Sequence, residues 1–113
     1  AFFNQKGKAS DAKAKEYANS AQVARETCAT ENSGEYTNCA QTTLEAIEPT
    51  LKSATFEVNS KSSKAYKLTV KSNPTSQTFS VERLESGEVK FPCTIKATGG
   101  CPEVSGAGSW AGG

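Results

Sequence analysis

The apolar and polar positions of the chain repeat with one period near its start and with another in its second half. In residues 1–31 the apolar residues recur every three or four positions, which places them on one face of an α-helix. This stripe consists of Ala14, Tyr17, Ala18, Ala21, Ala24 and Cys28. Polar residues such as Glu16 and Arg25 fall mostly on other faces, and Asn32-Ser33-Gly34 ends the helix. At about 1.5 Å per residue the helix is about 45 Å long, so we expect its N-terminal end to project from the domain.

From residue 54 to residue 96 the apolar positions instead alternate with polar ones. The four alternating runs are residues 56–58, 66–71, 79–82 and 89–95, and short turns separate them. Such runs are typical of antiparallel strands that are covered on one face, and they predict a four-stranded meander. Pro92 has no N–H to donate, so we expect the last strand to lie at an edge or to end early.

Two less regular segments complete the predicted fold. Residues 32–53 connect helix and sheet and contain a short helix, with Thr42 or Thr43 as its cap and Pro49 at its end. Residues 97–113 are rich in Gly and Ser, and we expect Trp110 to hold this tail against the sheet. The prediction is a single α+β domain over residues 1–113, with the long helix lying across the apolar face of the sheet.

The composition indicates a thin core with covalent support. A chain of 113 residues with 35% hydrophobic content can bury only a modest core, and its four cysteines favour two disulfides and an oxidising compartment. We expect Cys28–Cys39 and Cys93–Cys101, because each pair closes a short local loop. The crossed pairing, Cys28–Cys101 with Cys39–Cys93, remains the alternative.

The charges argue against a general polyanion binder, because 13 basic and 12 acidic residues leave a net charge of only +1. Acidic and basic residues alternate in blocks along the chain, a pattern that fits either self-association or ordinary charged surfaces exposed to solvent. One basic run lies over the first predicted hairpin and consists of Lys61, Lys64, Lys67 and Lys71. It could contact DNA phosphates, but we favour an aggregation-resistant sheet face, since no aromatic platform accompanies it.

Residues that carry catalysis are scarce. The sequence has no His and a single Asp, Asp11, and no pair of its scattered Glu residues stands out as an acid–base couple. It also lacks a C-x-x-C motif, a glycine-rich phosphate loop and an acidic calcium loop. We therefore expect no enzyme activity, no cofactor and no bound metal.

The opening AFFNQKGKASDAKAKEYANSAQVARETCATENSGEY resembles the part of a type IV pilin that follows its hydrophobic N-terminal half-helix. The segment TLEAIEPTL, the strand meander and the C-terminal cysteine loop also fit that family. The resemblance implies an apolar helix before Ala1 that anchors the subunit in the membrane and later packs in the core of a homo-oligomeric filament at the cell surface. It places Phe2, Phe3 and Lys6 at the subunit interface, and it implies that the headgroup alone is monomeric.

Two other functions fit the same pattern. A pseudopilin of a type II secretion system would share the fold, but such major subunits usually hold calcium in their C-terminal loops. A secreted binding module would have a cleavable signal peptide upstream in place of a retained apolar helix. For a pilin, the filament would serve adhesion, twitching motility or DNA uptake.

Overall fold

The computed structural model describes residues 2–95, 100–101 and 109–110, and for residues 2–6 and Ser60 it describes the backbone alone. Its elements, in chain order, are helix α1 (Phe2–Glu31), helix α2 (Gln41–Ile47), a 3₁₀-helix (Pro49–Ser53) and strands β1 (Thr55–Ser60), β2 (Tyr66–Ser72), β3 (Gln77–Arg83) and β4 (Val89–Lys90). The α+β class that the two periods predicted is confirmed: one long helix accompanies one four-stranded antiparallel sheet.

The sheet is a meander with the strand order β1-β2-β3-β4, and every neighbouring pair is antiparallel. The register aligns Phe56 with Val70 and Val70 with Phe79 in one row across three strands. Because side chains alternate along a strand, such rows collect the apolar residues on one face and leave Lys, Thr, Ser and Glu on the other. Helix α1 covers the apolar face and lies mainly against β2 and β3.

The interface between helix and sheet is built from small residues on one side and large ones on the other. Ala14, Ala18, Ala21 and Ala24 form the buried face of α1. The facing sheet residues include Leu68, Val70, Phe79 and Val81, all 0% exposed. An alanine stripe lets the helix backbone lie close above the sheet, and it leaves no space for longer side chains.

Three residues of α1 depart from the predicted division of faces, and the first is Asp11, a polar residue outside the stripe that is only 2% exposed. Arg25, expected among the polar positions outside the stripe, is fully buried, while Tyr17, expected in the core, is only half-buried at its edge. Tyr66 on β2 is fully buried. Arg25 can be buried here because its guanidinium donates hydrogen bonds to backbone carbonyls and packs against aromatic rings inside the fold.

Helix α1 ends as the Asn-Ser-Gly sequence predicts. Ser33 and Gly34 adopt positive φ angles of 60° and 82°, and the Gly34 N–H donates to the Ala29 carbonyl at 2.7 Å. This is the hydrogen bond that satisfies a helix C-terminus in a Schellman-type cap.

The cap predicted for the second helix is wrong. Helix α2 begins at Gln41, before Thr42 and Thr43, and its N-cap residue is Ala40, which makes no side-chain capping bond. The position of this helix follows from tertiary contacts: Leu44 is fully buried, and Cys39 is tied to α1 by a disulfide.

The last strand is shorter than predicted, and Pro92 explains where it stops. β4 covers only Val89–Lys90, yet the isolated Phe79–Cys93 bridge continues the same register beyond it. In that register Pro92 lies opposite Ser80, and the Ser80 N–H donates to the Pro92 carbonyl at 2.9 Å. Pro92 cannot donate back to the Ser80 carbonyl.

Trp110 supplies the hydrogen bond that Pro92 cannot. Its indole Nε1–H donates to the Ser80 carbonyl at 2.8 Å, and its backbone N–H donates to the Phe91 carbonyl at 3.1 Å. The indole ring packs edge-on against Phe79 and Phe91, with centroid distances of 5.8 and 5.4 Å. Trp110 itself therefore packs against the sheet, as expected.

Candidate functional site

Helix α1 carries a second stripe on the face opposite the sheet. Its exposed positions recur every three or four residues from Ala9 to Val23, and Thr30 lies two turns further on; the set consists of Ala9, Ala12, Glu16, Asn19, Val23 and Thr30. We call this set the outer stripe. Val23 is 65% exposed, the most exposed large hydrophobic residue in the described part of the chain. Small side chains at two positions and an exposed valine at a third suit close packing against another helix.

Sequence reasoning did not single out the outer stripe, although its signal was present. The same spacing that predicted the buried stripe also repeats on the opposite side of the helix, with Ala9 and Ala12 in it. Alanine favours helices on any face, so only the position of the sheet shows which alanines are left uncovered.

The N-terminal end of α1 extends beyond the end of the sheet. Gly7 lies beside the turn between β2 and β3, where a Cβ atom on this glycine would come within 3.0 Å of the Thr75 methyl group. The helix backbone continues from Gly7 back to Phe2, which at 1.5 Å per residue adds roughly 7 Å. The side chains of Phe2, Phe3 and Lys6, the predicted interface residues, lie outside the described atoms.

A buried carboxylate fixes this end of the helix to the sheet. Asp11 is 2% exposed and accepts a hydrogen bond of 2.6 Å from the Thr75 hydroxyl. The Thr75 hydroxyl also lies 3.1 Å from Ser72 Oγ, which is 2.8 Å from Ser10 Oγ. The chain of hydroxyls joins two helix residues to the end of β2 and the following turn, so the projecting end leaves the fold from a defined position.

The other end of α1 is held by the buried guanidinium of Arg25. Its Nη1 donates to the Cys39 carbonyl at 2.7 Å and its Nη2 to the Tyr36 carbonyl at 3.4 Å. The guanidinium carbon also lies 4.7 Å from the ring centroid of Tyr66 and 5.5 Å from that of Tyr36. Burial lowers the pKa of Arg25, and the electrostatic influence of the two tyrosines and Glu26 opposes that shift.

Glu26 joins both tyrosines in the same cluster. Its carboxylate accepts the Tyr36 hydroxyl at 2.7 Å and the Tyr66 hydroxyl at 3.1 Å. Burial, together with this carboxylate, raises the pKa of Tyr36 to about 12 and raises that of Tyr66 as well. This cluster connects α1, the segment after it and the sheet, and its contacts stabilise the fold. It consists of Arg25, Glu26, Tyr36 and Tyr66.

Both disulfides are present, and each closes a local loop. Cys28 at the end of α1 is bonded to Cys39 before α2, and Cys93 beyond β4 is bonded to Cys101 in the tail. The first bond holds Tyr36 and Cys39 where their carbonyls meet Arg25. The second ties the tail to the sheet edge near Trp110. No described cysteine is free.

The structure spreads the predicted basic residues over the sheet. Lys61 and Lys64 lie in the exposed turn between β1 and β2, while Lys67 and Lys71 lie on β2, on the face away from α1. Lys67 is paired in register with Glu82 on β3. A surface cleft of about 390 Å³ beside Lys61 is also lined by Glu82 and Glu85, so acidic side chains are interleaved with this run.

Neither a metal cluster nor a membrane-crossing helix occurs among the residues described. No group of three or more His, Cys, Asp and Glu side chains comes together there as a metal site would need. None of the helices in that part of the chain is long and apolar enough to cross a membrane.

Comparison with known proteins identifies no relative. No protein-family model matches the chain, no curated protein matches it in sequence, and no solved structure matches its fold.

Proposed function

We propose that this chain is the headgroup of a type IV pilin, a structural subunit of an extracellular filament. The observation that carries the proposal is the two-sided helix α1. One face is buried on the sheet, the outer stripe stays uncovered along the helix, and the N-terminal end leaves the fold beyond the β2–β3 turn. A helical bundle of many copies would cover Val23, which is 65% exposed, and would use the small side chains of Ala9 and Ala12 for close helix contacts.

The disulfides and the tail support the same proposal. A filament subunit must stay folded outside the cell and under load, and its core here is thin. The first disulfide ties the end of α1 to the segment before α2, and the second disulfide and Trp110 tie residues of the tail to the edge of the sheet. In the proposed subunit the Cys93–Cys101 bond would correspond to the C-terminal disulfide loop of the pilin family.

In the assembled filament the outer stripe would face neighbouring helices, and Phe2, Phe3 and Lys6 would lie where the headgroup meets the apolar part of the helix. Before assembly that apolar part would hold the subunit in the membrane. The polar face of the sheet would point outward, where its mixture of Lys, Glu, Thr and Ser keeps filaments apart.

Two measurements test the proposal. Filaments sheared from the surface of the source cells should contain this chain as a main component, detected by peptide mass spectrometry and immunogold labelling. In the full-length gene, Ala12→Arg should abolish filaments, because a long charged side chain would stand in the helix–helix contact. Glu57→Arg, an exposed change on β1 outside the proposed contact, is the control and should leave filaments intact.

The outcome that refutes the proposal is equally concrete. If the chain is found only as a free monomer in the medium, or if the Ala12→Arg variant assembles like the wild type, it is not a subunit packed through this helix. The isolated headgroup of each variant should keep the wild-type melting temperature, which separates lost assembly from lost folding.

A further inference from the structure

Strand β1 is an open edge of the sheet. In the part of the chain that the structure describes, β1 has a strand neighbour on one side only, namely β2. Its sequence, TFEVNS, contains no Pro and no Lys, and its residues that pack toward the core, Phe56 and Val58, are uncharged. Natural sheets protect exposed edges with proline, lysine, inward-pointing charges or very short strands, and this six-residue strand uses none of these devices. Its free side is therefore able to pair with another strand.

The backbone groups on the free side belong to the even-numbered residues of β1. The N–H of Lys61, directly after the strand, donates to the Ala65 carbonyl at 2.9 Å and so continues the ladder with β2. Successive residues of an antiparallel strand direct their N–H and C=O groups to opposite sides. The odd-numbered residues of β1 therefore bond to β2, and Phe56, Val58 and Ser60 direct these groups away from it. They can form the hydrogen bonds of one further strand.

The charges beside this edge are complementary to those of a second copy of the chain. Glu57 is the single charged residue of β1, and Lys61 follows it by four positions. Both are exposed, and neither makes an ion pair within the described residues. Because side chains alternate along a strand, the even spacing between them places Glu57 and Lys61 on the same face, the one turned away from α1. On β2, Glu57 lies opposite the uncharged Thr69, so a strand on its other side could supply the opposite charge.

One register satisfies both the backbone groups and the charges. If two antiparallel β1 strands are related by a two-fold axis at Asn59, Glu57 of each copy lies opposite Lys61 of the other. The same register makes Val58 and Ser60 hydrogen-bonded partners across the axis, which gives about four backbone hydrogen bonds. With the axis perpendicular to the sheet, the apolar faces of both copies lie on the same side. An axis at Glu57 would instead place two like charges opposite each other.

We propose that β1 pairs with β1 of a second copy in this register, so that two four-stranded sheets join into one of eight strands. The backbone hydrogen bonds hold the strands together, and the exposed ion pairs, which are weak, select the register. The resemblance to pilins implies a monomeric headgroup, whereas this edge gives a weak dimer at high protein concentration. The pairing does not rest on the proposed filament function, since it uses the edge of the sheet and leaves the outer stripe of α1 uncovered.

The first test measures self-association of the chain. ¹H–¹⁵N spectra and sedimentation velocity should be recorded at increasing protein concentration. The amides of Val58 and Ser60 should shift with concentration, because their N–H groups exchange water for a carbonyl acceptor. The amides of Glu57 and Asn59, which are already bonded to β2, should shift less. A chain that stays monomeric, or shifts confined to the outer stripe of α1, would overturn the proposal.

Exchange of the two charges tests the register. Glu57→Lys and Lys61→Glu should each weaken the dimer by about tenfold, because two attractive pairs become two repulsive ones. The double variant restores opposite charges across the axis, and its dissociation constant should lie within about twofold of the wild-type value. Glu88→Lys, at the exposed turn before β4, changes the net charge as Glu57→Lys does and should alter the constant less than about twofold. A double variant as weak as the single ones would overturn this register.

A peptide separates a second copy from any other extended strand as the partner. A synthetic peptide of residues 54–62 should shift the same β1 amides, and a peptide with Glu57 and Lys61 exchanged should bind more weakly. Equal binding of the two peptides would show that the edge accepts strands without regard to charge, and it would overturn specific pairing with a second copy. If the chain is monomeric but filaments form, only the pairing of β1 fails and the filament proposal stands.

Discussion

The hydrogen bond from Trp110 to the Ser80 carbonyl gives the sharpest prediction of the structure. Ser80 is 4% exposed, and the residue opposite it in the ladder is Pro92, which has no N–H. In Trp110→Phe the ring still packs against Phe79 and Phe91, but the carbonyl loses its indole donor. A buried polar group left without its partner costs about 1–3 kcal/mol, and the smaller ring adds about 1 kcal/mol of lost packing.

Pro92→Ala tests whether the proline is the reason for this dependence. The Phe79–Cys93 bridge sets a register in which residue 92 faces Ser80, and the Ser80 N–H already donates to the carbonyl of residue 92. An alanine N–H at this position would point at the Ser80 carbonyl and replace the indole donor. Trp110→Phe should therefore cost about 1 kcal/mol less in the Pro92→Ala background than in the wild type.

The assay is urea unfolding at constant temperature with both disulfides intact. Unfolding is followed by far-UV circular dichroism, because Trp110→Phe removes the single tryptophan and with it the fluorescence signal. A coupling of about 1 kcal/mol moves the midpoint by roughly 0.3–1 M urea for a domain of this size. Pro74→Ala, at an exposed turn position, is the control for the unfolded-state entropy that any proline replacement changes. Equal costs of Trp110→Phe in both backgrounds would refute the reasoning.

Three further predictions concern α1 and the residues that hold its C-terminal end. The free energy of unfolding should fall as the pH rises from about 10 to about 12, because the fold favours the neutral form of Tyr36 and raises its pKa to about 12. Tyr36→Phe should flatten this part of a plot of melting temperature against pH. An unchanged slope would exclude Tyr36 as the source of the pH dependence. Ala18→Leu should destabilise the chain by about 1–3 kcal/mol, since the helix lies too close to the sheet for a longer side chain. Ala12→Leu on the outer stripe should leave the free energy of unfolding, measured in urea, nearly unchanged. Replacing Cys28 and Cys39 by Ala should lower the free energy of unfolding by slightly less than about 3 kcal/mol through loop entropy. In that background Arg25→Leu should destabilise the chain less than in the wild type, because the carbonyls to which Arg25 donates are no longer held in place. Additive destabilisation in calorimetry would show that the disulfide and the guanidinium act independently.

The elements of the fold could be predicted from local pattern, because each depends on a period that a few residues suffice to reveal. Alanines at spacings of three and four defined α1, and the alternation from Phe56 to Val81 defined three strands. Pro92 correctly limited the fourth strand, since the loss of a donor is a property of the residue itself.

Local pattern failed where a residue's environment is assembled from distant segments. Arg25 has the sequence features of a solvated helix residue, and only the carbonyls of Tyr36 and Cys39 and the ring of Tyr66 make its burial favourable. The start of α2 was misjudged for the same reason, because Leu44 and the Cys28–Cys39 bond fix it where capping chemistry would not.

The sequence by itself determined the two layers of this protein and the cysteines able to staple them, since both follow from residue type and spacing. Only the tertiary structure decided which alanines of α1 remain uncovered and that an indole from the tail completes a ladder broken by proline. The reason is physical: periodicity fixes which side a residue faces along its own element, whereas a site depends on which elements meet.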